Sequence, residues 1–274
     1  MSDSVESTFP APGESRIGSI NKRGLYTHYA KESRRFMKVW LQTLAAPAVT
    51  TILFMIIFSV ALGGEDRVVK GMAFPTFLAP GLLVMAMLQN AFANTSSSIL
   101  IGKVQGNIVD VLMPPLSNGE LMLGYVAGGV TRALAVGGSV ALAFILLPSV
   151  DLTVSHWWAV IYFGVSAGVM LSLAGILTGI WADKFDQGAV ISNFVVAPLS
   201  LLSGTFYSIE RLSANWQMLS KANPFFYMID GFRYGFIGQG DSDLTIGVIY
   251  VFALNAALWI LAHRLFKSGY KLKS

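Results

Sequence analysis

Long apolar runs alternate with short polar ones along most of the chain. Runs near 20 residues recur, the length that crosses a hydrocarbon core of about 30 Å as a helix. The pattern predicts six such spans, over residues 39–62, 76–98, 121–147, 157–181, 189–207 and 244–265. They are apolar throughout, without the alternation of a barrel strand, so the fold class is an all-α membrane protein with six transmembrane helices. Trp157, Trp158 and Trp181 stand at the two ends of the fourth span, where interfacial aromatics belong.

Two segments outside the spans also carry a helical pattern. Over residues 22–40, Lys31, Arg34, Arg35 and Lys38 fall within roughly a 100° arc of a helical wheel. Leu25, Tyr29, Phe36 and Trp40 take the other side. This predicts a basic amphipathic helix lying in the membrane interface. It serves as an anchor, or as a lever that also meets a cytoplasmic partner. Between the second and third spans, Ile101, Val104, Ile108, Val111 and Leu112 recur mostly at steps of three and four. They predict a short amphipathic helix over 101–112, ended by Pro114-Pro115. An apolar helix on this side is a docking-site candidate, with a helix lying on the membrane as the alternative. Ser117-Asn118-Gly119-Glu120 fits a capping box opening the third span.

The stretch after the fifth span is apolar and aromatic but is broken by Gly204, Pro224 and Gly231. It is too interrupted to span and too apolar to be a free loop. Short re-entrant outer helices are the expected solution. Asp230 and Arg233, three apart, are expected to neutralise one another there, with contact to a substrate head group as the alternative.

Composition agrees. Of 274 residues, 54% are hydrophobic and 12% charged, half the charged share of an ordinary soluble domain. Whole-chain disorder is excluded on the same ground. With no cysteine, thiolate zinc and iron–sulfur sites are excluded. His28, His156 and His263 are too scattered for a metal or a catalytic triad.

The net charge of +4 resolves by face. Basic residues crowd the N-terminal segment (Arg16 to Lys38) and the C-terminal tail (Arg264 to Lys273), with Lys103 and Lys184 on the same side. Six spans put both termini on one side, and the positive-inside rule makes it cytoplasmic. The charge is therefore a membrane signal, and no nucleic-acid partner is expected. Residues 1–21, rich in Ser, Pro and Glu, read as a disordered cytoplasmic tail, with a transmembrane domain over 22–274.

Arg132 is the one charge well inside a span. It either snorkels toward the cytoplasmic interface or lines a path or subunit contact. Asn90, Asn94 and Asn193 are further polar positions that line a path or bond helix to helix. Pro47 and Pro198 are kink candidates with a geometric role only.

Several of these strings carry a family resemblance. Ser203-Gly204-Thr205-Phe206-Tyr207 followed by Asn223-Pro224-Phe225-Phe226-Tyr227-Met228-Ile229-Asp230-Gly231-Phe232-Arg233-Tyr234-Gly235 resembles the C-terminal signature of ABC type-2 transporter permeases. Phe77 and Pro80-Gly81 at the start of the second span resemble the family too. So does the coupling segment from Gly106 through Pro114 to Ser117. The resemblance covers about residues 22–270. One departure is that no proline precedes Trp216 in the outer segment, which bears on the shape of that turn.

The resemblance implies a permease subunit of an exporter in the bacterial inner membrane. It implies a second copy of the chain and a pair of cytoplasmic P-loop ATPase subunits that use ATP and Mg. It implies an amphipathic cargo such as a drug, a lipid or a lipid-linked glycan. Ile101, Val104, Gly106, Ile108, Val111, Leu112 and Pro114 become the coupling residues. This chain has no Gly-x-x-x-x-Gly-Lys-Ser/Thr loop, so it is no ATPase by itself and holds no cofactor or metal of its own. Asp230-Gly231-x-Arg233 with Asp241 and Asp243 departs from the CDP-alcohol phosphotransferase pattern in spacing. A secondary transporter or channel usually carries charged relays inside its spans, and here only Arg132 is available.

Overall fold

The computed structural model describes residues 20–61 and 67–272. The proposed tail therefore falls almost wholly outside the described residues. Helix α1 spans Lys22–Met37. A π turn at Leu41–Ala45 leads into α2, Ala46–Ala61. A two-residue hairpin, β1 Val68–Val69 paired antiparallel with β2 Met72–Ala73, adds a small ribbon to the expected all-α fold. Then come α3 (Phe74–Val104), α4 (Ile108–Leu112), α5 (Asn118–Ile145) and α6 (Trp157–Trp181). Next are α7 (Phe185–Ile191), a π turn at Ser192–Val196 and α8 (Ala197–Leu201). The chain closes with α9 (Ala214–Ala222), α10 (Pro224–Ile237) and α11 (Leu244–Ser268).

Five helices are long and apolar enough to cross a membrane: Leu41–Ala61, α3, α5, α6 and α11. The expected fifth span, 189–207, is not among them. Helical structure covers residues 185–201, and residues 202–207 leave it. The stop is local chemistry. The hydroxyls of Ser203 and Thr205 donate back to Ser200 O at 2.6 and 2.8 Å and satisfy a carbonyl at the helix end.

Both π turns stand two residues before a proline, in the shared string Ala-Pro (Ala46-Pro47 and Ala197-Pro198). Proline supplies no N–H and crowds the preceding turn; a widened turn accommodates both. The kink candidates thus mark where the two helices change winding.

Helix α3 is the axis of the bundle. Its core side chains, from Phe74 to Leu100, contact α5, α6, α2 and α10. Small residues allow this closeness. A Cβ on Gly175 of α6 would lie 2.1 Å from Thr95 Oγ1, whose hydroxyl donates to Ser172 O at 2.8 Å. Small faces that let backbones approach are how helices associate where no hydrophobic drive separates helix from lipid.

The same device docks α1. Gly124 and Gly128 of α5, four apart, face His28 and Glu32 of α1, also four apart. A Cβ there would meet them at 2.2 and 2.6 Å. So α1 does not simply float in the interface with its aromatic face down. Its buried face is His28, Glu32 and Phe36, pressed against α5. Gly128→Val is expected to destabilise the fold by about 1–3 kcal/mol through overpacking at this seam. The change is to be read as a lower melting temperature of the detergent-solubilised protein, with Gly138→Val, which meets open space, as the control.

Candidate docking site and outer lock

The functional candidates gather at the two ends of the bundle. At one end the start of α1 is tied to the start of α5. The capping box forms: Ser117 Oγ accepts from Glu120 N at 3.3 Å, while Glu120 Oε2 accepts from Ser117 N at 2.7 Å. Glu120 Oε1 also accepts from Asn21 N at 2.5 Å, and Asn21 Oδ1 caps α1 by accepting from Gly24 N at 2.9 Å. One carboxylate therefore anchors two helix starts.

The expected helix over 101–112 is corrected. Ile101 and Val104 belong to the last turn of α3. The chain breaks at Gly106, whose φ of +74° is left-handed, and restarts as the five-residue α4. Ile108 is buried against Gly102, while Val104 (49% exposed) and Met113 (75%) stay open. Leu112 is half-buried.

Between α1 and the α4 segment lies a groove of about 480 Å³, lined by Gly24, His28, Lys31, Asp110, Val111 and Pro114 among others. Two segments read separately from the sequence thus form the two walls of one groove. Arg34 and Lys38 stay exposed beside it. Arg35 does not: it turns inward, donating through Nη2 to Asn94 O at 2.5 Å and Oδ1 at 3.1 Å, and through Nη1 to Ser97 Oγ at 3.0 Å. It also pairs at 3.3 Å with Glu32, which is fully buried and accepts from Ser98 Oγ at 2.7 Å. Glu32 had no signal of its own in a basic helix; the matching Gly124-x-x-x-Gly128 and His28-x-x-x-Glu32 spacings are the trace it leaves.

The same end carries two lysines that cap α6. Lys103 Nζ donates to Ile180 O at 2.7 Å and Ala182 O at 2.6 Å; Lys271 Nζ donates to Trp181 O at 2.9 Å. Asp183 pairs with both, at 3.4 and 2.6 Å. The Lys271 hydrogen bond holds the Asp183 carboxyl below its ordinary range. These contacts bring the starts of α1 and α5, the ends of α3 and α6, and the C-terminal residues to one end of the bundle.

At the opposite end three motif strings converge on Arg233, which is 2% exposed. Its Nη2 donates to Gly204 O at 2.8 Å and Thr205 O at 3.2 Å. Its guanidinium lies 4.1 Å from the centre of the Phe77 ring. Gly81 makes the room, since a Cβ there would meet Arg233 Nη2 and Thr205 O at 2.9 Å. Pro224 opens α10 behind its cap Asn223.

The expected Asp230–Arg233 contact is corrected, because each side chain is engaged elsewhere. Asp230 accepts from Asp241 N (2.8 Å), Ser242 N (2.9 Å) and Ser242 Oγ (2.6 Å), and so holds the loop before α11. It acts on Arg233 only through space. Asp241 pairs with Lys70 of the hairpin turn and accepts from Ile209 N at 3.0 Å. Burial alone would raise its carboxyl, but bonds from Lys70, Ser208 and Ile209 outweigh it and hold the group below its ordinary range.

Midway, Arg132 Nη2 donates to Asn90 Oδ1 at 2.9 Å, so Arg132 bonds across to α3. Asn94 lies with Arg35, and Asn193 is exposed on its π turn, apart from both. Among the described residues no group of three or more His, Cys, Asp or Glu is placed to hold a metal.

These features define a multi-pass helical membrane protein with a groove at one end and a buried arginine lock at the other. The family model for ABC-2 type transporters matches residues 24–237. The inner membrane transport permease YadH of Escherichia coli K12 is 40% identical over 248 residues, 90% of this chain and 95% of that protein. Nodulation protein J of Rhizobium leguminosarum bv. viciae is 23% identical over 80% of this chain and 86% of its own. Nodulation protein J of Neorhizobium galegae is 24% identical over 81% and 86%. The chain belongs to the ABC-2 type transporter family.

Two outcomes follow from this geometry. Arg233→Met strands the Gly204 and Thr205 carbonyls and is expected to cost on the order of 3 kcal/mol. Gel filtration of the solubilised protein should show a reduced monodisperse peak, unrestored by Arg233→Lys. Second, burial pushes the His28 imidazole below its ordinary 6.5, against a raising effect of Glu32. The docked α1 therefore takes up its proton later than the released helix. Stability is full above about pH 6.5 and falls as pH drops below it. Melting curves between about pH 8 and about pH 5 should show this fall, and His28→Gln should flatten it.

Proposed function

We propose that this chain is the membrane-spanning permease subunit of an ATP-driven exporter. The observation that carries this reading is the groove between α1 and the α4 segment, which has an apolar floor, a basic rim at Lys31 and exposed Val104 and Met113 nearby. A mobile ATPase needs a surface of this kind: shaped, partly apolar and joined to the central helix. The name of the E. coli relative, an inner membrane transport permease, supports this reading.

In this reading residues 185–201 complete six spans, and α9 and α10 re-enter from the outer side. The end bearing α1 and Lys271 faces the cytoplasm, as its lysines and arginines require. A pair of P-loop ATPase subunits binding ATP and Mg would seat in the groove of this chain and of a second copy. Closure of the ATPases would push α4 and α1. The Gly124/Gly128 seam and the Arg35–Asn94 bond would pass that push to α5 and α3. The spans would then part around an amphipathic cargo.

The test is Val111→Glu, which puts a charge on the groove wall without touching the α1–α5 seam. Copurification with a co-expressed P-loop ATPase partner should fall at least about tenfold, with melting temperature unchanged. Full retention of the ATPase and of its coupled hydrolysis would sink the docking site.

A further inference from the structure

Neither the groove nor the outer lock uses Arg132. It stands fourteen residues into α5 from Asn118, about 21 Å along the axis at 1.5 Å per residue. Asn90, its partner, stands fourteen residues before Val104, the end of α3. The pair therefore lies at one level, deep in the bundle. That bond is the sole hydrogen bond of Arg132 among the described residues, and no carboxylate there pairs with it. Its Nε is buried with no partner at all. A cation left this way in a membrane span is costly unless something else supplies the missing charge.

Asn90 also lines a cavity of about 270 Å³ between α2 and α3. Gln42, Thr50 and Gln89 line it too, and their side chains have no hydrogen-bond partner among the described residues. Phe54 and Met85 form an apolar wall. Asn90 Nδ2 also donates to Ala86 O at 3.0 Å; the other three polar side chains, with a guanidinium lacking any carboxylate behind Asn90, suit a polar occupant.

We propose that this cavity is a binding subsite for the anionic head group, phosphate or carboxylate, of a membrane-borne amphiphile. The amides and hydroxyl donate to the head group, Arg132 supplies the counter-charge in a low dielectric, and the apolar wall takes the chain. That the amphiphile is cargo rests on the exporter reading. Depth favours cargo over a resident lipid, because a bilayer lipid keeps its head group at the interface.

The experiment uses the purified permease alone in phosphatidylcholine nanodiscs. Dodecyl phosphate, dodecyltrimethylammonium and dodecanol are titrated, and binding is read as a shift in melting temperature. Dodecyl phosphate alone should raise it. Arg132→Gln should weaken that binding at least about tenfold (one factor of ten is about 1.4 kcal/mol), and Arg132→Lys less. Equal shifts from all three amphiphiles, or an unchanged response in Arg132→Gln, overturn the site. Should that variant not fold, the wild-type selectivity and Gln89→Leu, expected to weaken binding several-fold, decide the matter. Repeating the titration in phosphatidylglycerol discs separates the sources. Persistent dodecyl phosphate binding supports cargo; abolished binding means bulk lipid fills the site and overturns it. None of these readouts needs the ATPase, so failure of the exporter reading shows separately, as no copurifying ATPase.

Discussion

A helix that ends near a hydrocarbon layer leaves carbonyls with no partner, and water is too scarce there to satisfy them. This fold answers with cations from elsewhere in the chain. Lys103 and Lys271 take the last carbonyls of α6, and Arg233 takes those of the turn after α8. Each places positive charge where the helix dipole is negative. Each also crosses a long stretch of sequence, so the caps join helix ends as well as satisfy them. Part of the basic charge at the α1 end is consequently structural. Lys103 and Lys271 are shared with Asp183, which leaves Lys31, Arg34 and Lys38 as the free charges beside the groove.

Five of the six expected spans were legible because hydropathy and length suffice for a bilayer solvent, and the Ser117–Glu120 box because capping is local. Contacts set by tertiary packing were not. The i, i+3 spacing of Asp230 and Arg233 suggested a pair, but loop amides and carbonyls from other segments competed for both and won. Apolar periodicity ran through Gly106 and suggested one helix over 101–112; the left-handed glycine breaks it into two, and the second folds back on Gly102. A wheel also gave α1 an aromatic buried face. The true face is set by where α5 has glycines: Arg35 and Ser98 meet the inward carboxylate of Glu32, and the His28 imidazole packs edge-on against the Tyr125 ring.

The strings that carry the family resemblance take on physical meaning once their positions are known. Phe77, Gly81, Gly204 and Arg233 are far apart in sequence and form one contact. The phenyl ring faces the cation, Gly81 leaves its path open, and the turn carbonyls receive it. Replacing any one removes a partner that the others need. The coupling string has the opposite character. It is held at its two ends, by α3 and by the Ser117 cap, and its middle residues line the groove against α1.

Arg35 and Arg132 connect these ends. They bond to Asn94 and Asn90, one helical turn apart on α3, and act on each other through space. Glu32 offsets Arg35 and lies on α1, the helix that borders the groove. If a partner's push shifts α1, it moves a carboxylate and a guanidinium together relative to Arg132. The potential behind Asn90 then changes without any rearrangement of α3 itself. In a medium of low dielectric such a change acts over a helix turn with little screening. Were an anion bound in the cavity and a partner in the groove, the two would share this charge balance, and by linkage each would bias the other.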